Sequence, residues 1–382
     1  MRPTTRGSRL LALPALCLLL PLSGCGGDPA GEDGGDGEAD TTPSRMADLR
    51  WDIDDSVATS DACGTWVVRA DIGEPLQVVD VANDRVLLPR VTPPPGSGLE
   101  PDEGWLTDGG CVPTPDGPVV VVETQDLYTD LDEAPPKLVA GLTPEGEQLW
   151  VREEPGQVLG RYDGTGSFVL DEVGARPGRW VVVDARTGET VAEGAGDADD
   201  PAARRVQLTL SRDLVATTDA TVVRLPDWST YLEGVVAGVD ADRALLAGAG
   251  GLSLVRLADA VALWARTDVG YAAVTGGSTD LSTGTVLATD RDRRLVGLDL
   301  VSGATRWTSD LAFGDVNLSD PQIGAGVIVV RDGRDLDRQV VLDAATGERL
   351  PDPDGTLVVG QDVLLLVDDE GRPTPITVDD LR

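Results

Sequence analysis

Along most of the chain, apolar positions come in short runs of four to six residues, broken by polar turns rich in Gly, Pro and Asp. Residues 119–122, 168–170, 244–246, 327–330 and 363–367 are Val- and Leu-rich runs of this kind, which fit strands buried on both faces. No long stretch has helical apolar spacing. The most regular segment is 297–307, Gly-Leu-Asp-Leu-Val-Ser-Gly-Ala-Thr-Arg-Trp. Val296, Leu298 and Leu300 alternate, so they share one face of a strand. Asp299 closes that strand. Ser302 and Gly303 suit a turn with a positive φ, and Trp307 ends the returning strand with a large apolar ring.

The same unit recurs. Residues 140–150 keep the turn glycine Gly146 and the final Trp150, and residues 182–192 keep Asp184, Thr187 and Gly188 but end in Ala192. Residues 222–232 are degenerate, with Arg224, Trp228 and Leu232 in the three anchor places. Residues 254–264 keep Trp264, with Ala260 in the turn, and residues 341–351 keep Asp343, Thr346 and Gly347. The end positions 150, 192, 232, 264, 307 and 351 recur with a period of about 40 residues, which is the mark of propeller blades. The expected fold is therefore an all-β propeller. Trp51 to Trp150 spans more than one period. Treating it as one enlarged blade gives the seven blades favoured by this reading, and treating it as two gives eight.

These residues resemble the tryptophan-docking repeat of the PQQ-like β-propeller family, to which quinoprotein dehydrogenases belong. That repeat runs roughly Ala-x-Asp-x-x-x-Gly-Lys-x-x-Trp, and 297–307 matches it at Asp299, Gly303 and Trp307. The resemblance covers about residues 49–382. It implies a structural docking role for Asp299, Gly303, Trp307, Gly146, Trp150, Trp264, Asp184, Gly188, Asp343 and Gly347. It speaks for fold rather than activity, since many such propellers are non-catalytic scaffolds. An enzyme of this family would be a PQQ-dependent dehydrogenase acting on an alcohol or sugar. The adjacent cysteine pair of the quinoprotein alcohol dehydrogenases is missing here, and the docking places at 192, 232 and 351 are substituted.

The two ends of the folded region complement each other. Leu49-Arg50-Trp51 resembles the end of a hairpin, and residues 375–382 resemble the start of one. This predicts a ring closed by an N-terminal strand near Trp51.

Charge and composition narrow the function. The formal net charge is −35, and Lys137 is the only lysine. Such a surface repels nucleic acid and anionic headgroups. There is no histidine, which excludes a Ser-His-Asp triad, a Cys-His dyad and histidine-ligated metals within this chain.

Residues 1–24 read as an export signal, with Arg2, Arg6 and Arg9 ahead of the apolar run 10–22. That run is short for a bilayer span. Leu22-Ser23-Gly24-Cys25 resembles a bacterial lipobox, in which Cys25 is acylated and becomes the mature N-terminus, carrying palmitate or a similar chain. Residues 25–47 then form a Gly- and Asp-rich tether with little to bury, and the propeller is expected over 48–382.

Cys63 and Cys111 remain, and two cysteines in an exported protein are most simply one disulfide. The acidic clusters at 197–200, 290–292 and 332–337 do not follow an EF-hand pattern. Composition alone produces such clusters, so no metal or cofactor is expected. The long Pro- and Gly-rich insertion 92–116 interrupts the repeat and holds Trp105, a large apolar ring in polar company. It is the expected partner-binding loop. The sequence thus points to a lipid-anchored, non-catalytic binding propeller at the outer face of a cell membrane. Its partner is expected to be a protein of the cell envelope, as for the propeller lipoprotein of outer-membrane barrel assembly.

Overall fold

The computed structural model describes residues 45–51, 59–70, 76–94, 106–124, 137–154, 158–162, 164–172, 178–196, 206–217, 220–240, 242–248, 250–271, 279–280, 282–312, 316–333 and 338–382. These contain eight antiparallel sheets in chain order, here called blades 1 to 8. They span residues 59–87, 106–154, 158–196, 206–233, 235–266, 269–312, 316–343 and 356–375. Each blade is an up-and-down meander; in blade 6 the first strand is split, and Val269–Tyr271 and Thr279–Asp280 both pair with Thr285–Asp290.

Alternation along the strands explains the ring. In blade 2, Val119, Val121 and Val139 pack against Phe168, Leu170 and Val181 of blade 3. Their alternate neighbours Val120, Val122 and Ala140 face the other way, onto Val68, Leu76 and Val78 of blade 1. Both faces of a blade are therefore buried, which is why the strands read as continuous apolar runs. The same arrangement recurs between blades 3 and 4, 4 and 5, 5 and 6, 6 and 7, and 7 and 8. The ring closes between blade 8 (Val363, Leu365, Val367) and blade 1 (Val67, Val79, Val86). Eight seams join eight sheets, so the molecule is an eight-bladed β-propeller.

Seven blades was the favoured count, and eight is the observed one. Residues 59–87 form a complete blade, Thr59–Cys63, Trp66–Ala70, Gln77–Asp80 and Arg85–Leu87, without the repeat signature. Its last turn is a one-turn 3-10 helix, Val81–Asn83, capped by the Asp80 side chain, with Asp84 at φ 50. The Asp-to-Gly turn that marks other blades is replaced there, so its strand-like runs fitted one enlarged blade as well as two.

The insertion 92–116 is shorter than expected. Leu106–Val112 is the first strand of blade 2, paired with Val119–Thr124. The folded part also begins before residue 48, because Met46 is buried in the closing seam. Trp51 fills that seam at 2 % exposure, with its indole N–H donating to Gln77 Oε1 at 2.9 Å and Arg69 stacked 4.9 Å from the ring. Closure is therefore where the complementary ends place it. Its form differs: residues 49–51 make one backbone bond to blade 8, Trp51 N–H to the Gly371 carbonyl, in place of a ladder. Residues 376–382 do not run on as a strand either. They bend into the 3-10 helix Val378–Leu381, stabilised by a capping box between Thr377 and Asp380, and bury Leu381 in the seam of blades 7 and 8.

Candidate interaction surface

Each docking residue acts across a seam. Trp150, Trp264 and Trp307 lie on the fourth strands of blades 2, 5 and 6. Each indole N–H donates to a carbonyl in the last turn of the following blade: Trp150 to Ala185 at 2.8 Å, Trp264 to Leu300 at 2.9 Å and Trp307 to Ala344 at 2.9 Å. The rings then cover the turn glycines Gly188, Gly303 and Gly347. A Cβ built on Gly188 would come within 2.6 Å of the Trp150 ring, on Gly303 within 2.7 Å of Trp264, and on Gly347 within 2.5 Å of Trp307. These glycines have φ near +70°, so they serve both the turn and the close approach. Gly146 has the turn geometry, at φ 90, but meets no tryptophan.

The aspartates hold the turns. Asp184 accepts from the backbone N–H groups of Arg186 and Thr187, Asp299 from Val301 and Ser302, and Asp343 from Ala345 and Thr346. Bonds from Ser302 and Arg306 hold Asp299 well below the usual carboxylate range. Burial pushes Asp343 up, but bonds from Arg382 and Thr346 outweigh it and leave it below its ordinary value. The next residue ties the last turn to the first turn of the same blade. Ala185 N–H donates to Gly166, Leu225 to Asp213, Leu257 to Asp242, Leu300 to Gly284 and Ala344 to Gly326.

Sequence reading missed two devices. First, Arg152 and Arg266, each two residues past a docking tryptophan, donate to the carbonyls of Gly188 and Gly303. The Trp-x-Arg spacing in blades 2 and 5 is the signal that could have found them. Second, the substituted seams are repaired by exchange. At the seam of blades 3 and 4, Ala192 stands in the tryptophan place and Trp228 in the turn-glycine place, at φ 58. The Trp228 ring packs edge-on against Trp180 at 5.1 Å. At the next seam the hydroxyl of Tyr231 donates to the Leu257 carbonyl, doing what an indole N–H does elsewhere.

Because the strands alternate in direction, the turns after first and third strands leave one end of the ring, and the remaining connections leave the other. The first end carries only tight turns, the longest being 113–118. The second end carries the longest connections, 88–105, 125–136 and 197–205. Trp105 belongs to the first of these and lies outside the described residues, as do Cys25 and the acidic cluster 197–200. Cys63 and Cys111 form a disulfide that staples the first strands of blades 1 and 2. A two-way contact between the Thr92 backbone and the Gln148 side chain fixes the start of the 88–105 connection.

Towards the ring centre, the Tyr162 hydroxyl donates to Glu123 at 3.0 Å, and Gly160 N–H donates to the same oxygen. Burial, then the nearby carboxylates of Glu123, Asp108 and Asp61, hold the phenol well above its usual range. It is a packed structural group resting over Gly110 and against Phe168. Among the described residues, no three His, Cys, Asp or Glu side chains are grouped to hold a metal, and no helix is long and apolar enough to cross a membrane.

At the loop-bearing end, a cleft of about 500 Å3 opens between blades 4 and 5. Small residues such as Ala220, Gly234, Ala247 and Gly250 form much of its wall, with Val235, Leu246 and Leu252 beside them and Glu233 among the lining.

Solved structures of similar architecture include the designed Ika8 protein, at 12% identity and TM-score 0.45, covering 84% of this chain and 95% of that one. BamB from Moraxella catarrhalis is 18% identical at TM-score 0.40, covering 70% and 87%. The dihydro-heme d1 dehydrogenase NirN is 16% identical at TM-score 0.47, covering 85% and 73%. No family profile matches the chain, and no curated protein matches it.

Proposed function

We propose that the chain is an exported, lipid-anchored, non-catalytic propeller that binds a protein partner at the outer face of a cell membrane. The observation that carries the reading is the asymmetry of the ring. Eight packed seams and tight, aspartate-held turns make one end rigid, and the long connections gather at the other. Rigid scaffolds that present long loops on one side are built to bind. The charge of −35 favours a basic partner surface and disfavours nucleic acid. The lipobox at 22–25 supplies the anchor, and the tether leaves the ring free to reach a membrane-bound partner.

The test has two arms. Cys25→Ser should move the protein from the detergent phase to the aqueous phase, and unchanged partitioning overturns the anchor. Crosslinking in the native membrane should capture a defined partner with wild type and lose yield with Trp105→Ala or with 95–104 replaced by a Gly-Ser linker. Equal capture by all three folded proteins removes the 88–105 connection from the binding edge. PQQ-dependent oxidation of an alcohol by the purified protein would overturn the non-catalytic reading.

A further inference from the structure

We infer that the cleft between blades 4 and 5 receives an extended peptide segment of the partner that alternates small apolar and basic side chains. The inference rests on the binding role proposed above and gives it a location and a chemistry.

Three observations converge. The first is shape. Leu210, Val222, Val255 and Tyr231 pack the body of this seam, but its loop-bearing end is lined largely by small residues beside Leu246 and Leu252, and about 500 Å3 stays open there. A Cβ built on Gly248 or Gly250 would meet nothing within 4 Å. The tight hairpin between Gly248 and Gly251 therefore leaves this side of the cleft clear for another chain. The second is apolar exposure. Val235, within the lining, is 39% exposed, one of the few large hydrophobic side chains standing out to solvent among the described residues. The third is charge. Among the described residues, Glu233 is the only ionisable side chain lining the cleft, and it is exposed. A carboxylate beside an apolar floor, on a chain of net charge −35, selects a cation next to an apolar group.

The probe is a fluorescein-labelled hexapeptide of alternating valine and lysine, titrated by anisotropy against the full chain. A valine–glutamate hexapeptide serves as control. The lysine peptide should bind at least tenfold tighter than the control. Gly250→Trp should fill the cleft without clash and weaken binding tenfold or more, and Glu233→Lys should reduce the preference for the lysine peptide by about fivefold. Circular dichroism checks that both variants remain folded. Binding that Gly250→Trp leaves unchanged, equal affinity for the two peptides, or no binding at millimolar peptide each overturns the inference. If membrane crosslinking still captures the partner while the peptide results fail, the scaffold reading survives and only this cleft is excluded.

Discussion

The exchange at the seam of blades 3 and 4 makes the most demanding prediction. Elsewhere the seam is closed by a tryptophan on one blade lying over a turn glycine on the next. Here the large residue sits in the turn, as Trp228, and the small one on the strand, as Ala192. Trp228→Gly removes a half-buried ring and its edge contact with Trp180, and should cost about 3 kcal/mol, the low end for an aromatic truncation. Relief of the left-handed backbone at φ 58 returns about 1 kcal/mol, and the added freedom of glycine in the unfolded chain takes back a similar amount. Ala192→Trp alone forces a second large ring into a filled seam, at about 2 kcal/mol. If the two positions were independent, the double variant would lose about 5 kcal/mol by simple addition of these costs. If they are one device, the double variant rebuilds the arrangement of Leu254, Trp264 and Gly303 and should lose less than about 2 kcal/mol, a coupling of about 3 kcal/mol. Guanidinium unfolding followed by far-ultraviolet circular dichroism measures all four proteins without relying on tryptophan emission. Additive losses would refute the exchange.

Three further outcomes are expected. Trp51→Ala should lower stability by about 3–5 kcal/mol in the same assay, because the ring is 2 % exposed and closes the last seam; a midpoint shift near zero would place closure elsewhere. Gly347→Ala should destabilise by more than about 1 kcal/mol, since φ is 72 and the new methyl meets the Trp307 ring, and thermal melts read it directly. The depressed Asp343 carboxylate contributes stability above its unfolded value of about 3.9 that is lost as pH falls below it. Asp343→Asn should therefore flatten part of the decline in melting temperature between about pH 5 and pH 3, and an unchanged acid limb would sink that assignment.

The repeat residues made the propeller legible, because an aspartate, a positive-φ glycine and a tryptophan are each demanded by the seam geometry. Blade 1 stayed hidden because Val81–Asn83 turns by a capped 3-10 helix and needs none of the three. The C-terminal segment misled for a related reason. Residues 376–379 alternate like a strand, but Thr377 and Asp380 satisfy each other's backbone groups locally and turn the chain into a helix. Trp228 was visible as an oddity in the repeat. Its meaning needed the facing Ala192 and Trp180, which only the seam brings together. The cleft was not legible, since small residues in strands give no pattern until opposing walls are known.

The way the ring closes has a mechanical consequence. Seven joints are crossed by chain that is continuous from blade to blade. The eighth is closed by blade 8 packing on blade 1, with Met46, Leu49 and Trp51 wedged into the same seam and one main-chain bond to Gly371. Tension on the N-terminus reaches this clasp before any other joint, and its release would let the circle open into an arc. The lipid proposed for Cys25 would load that same clasp, coupling the proposed attachment to the integrity of the circle.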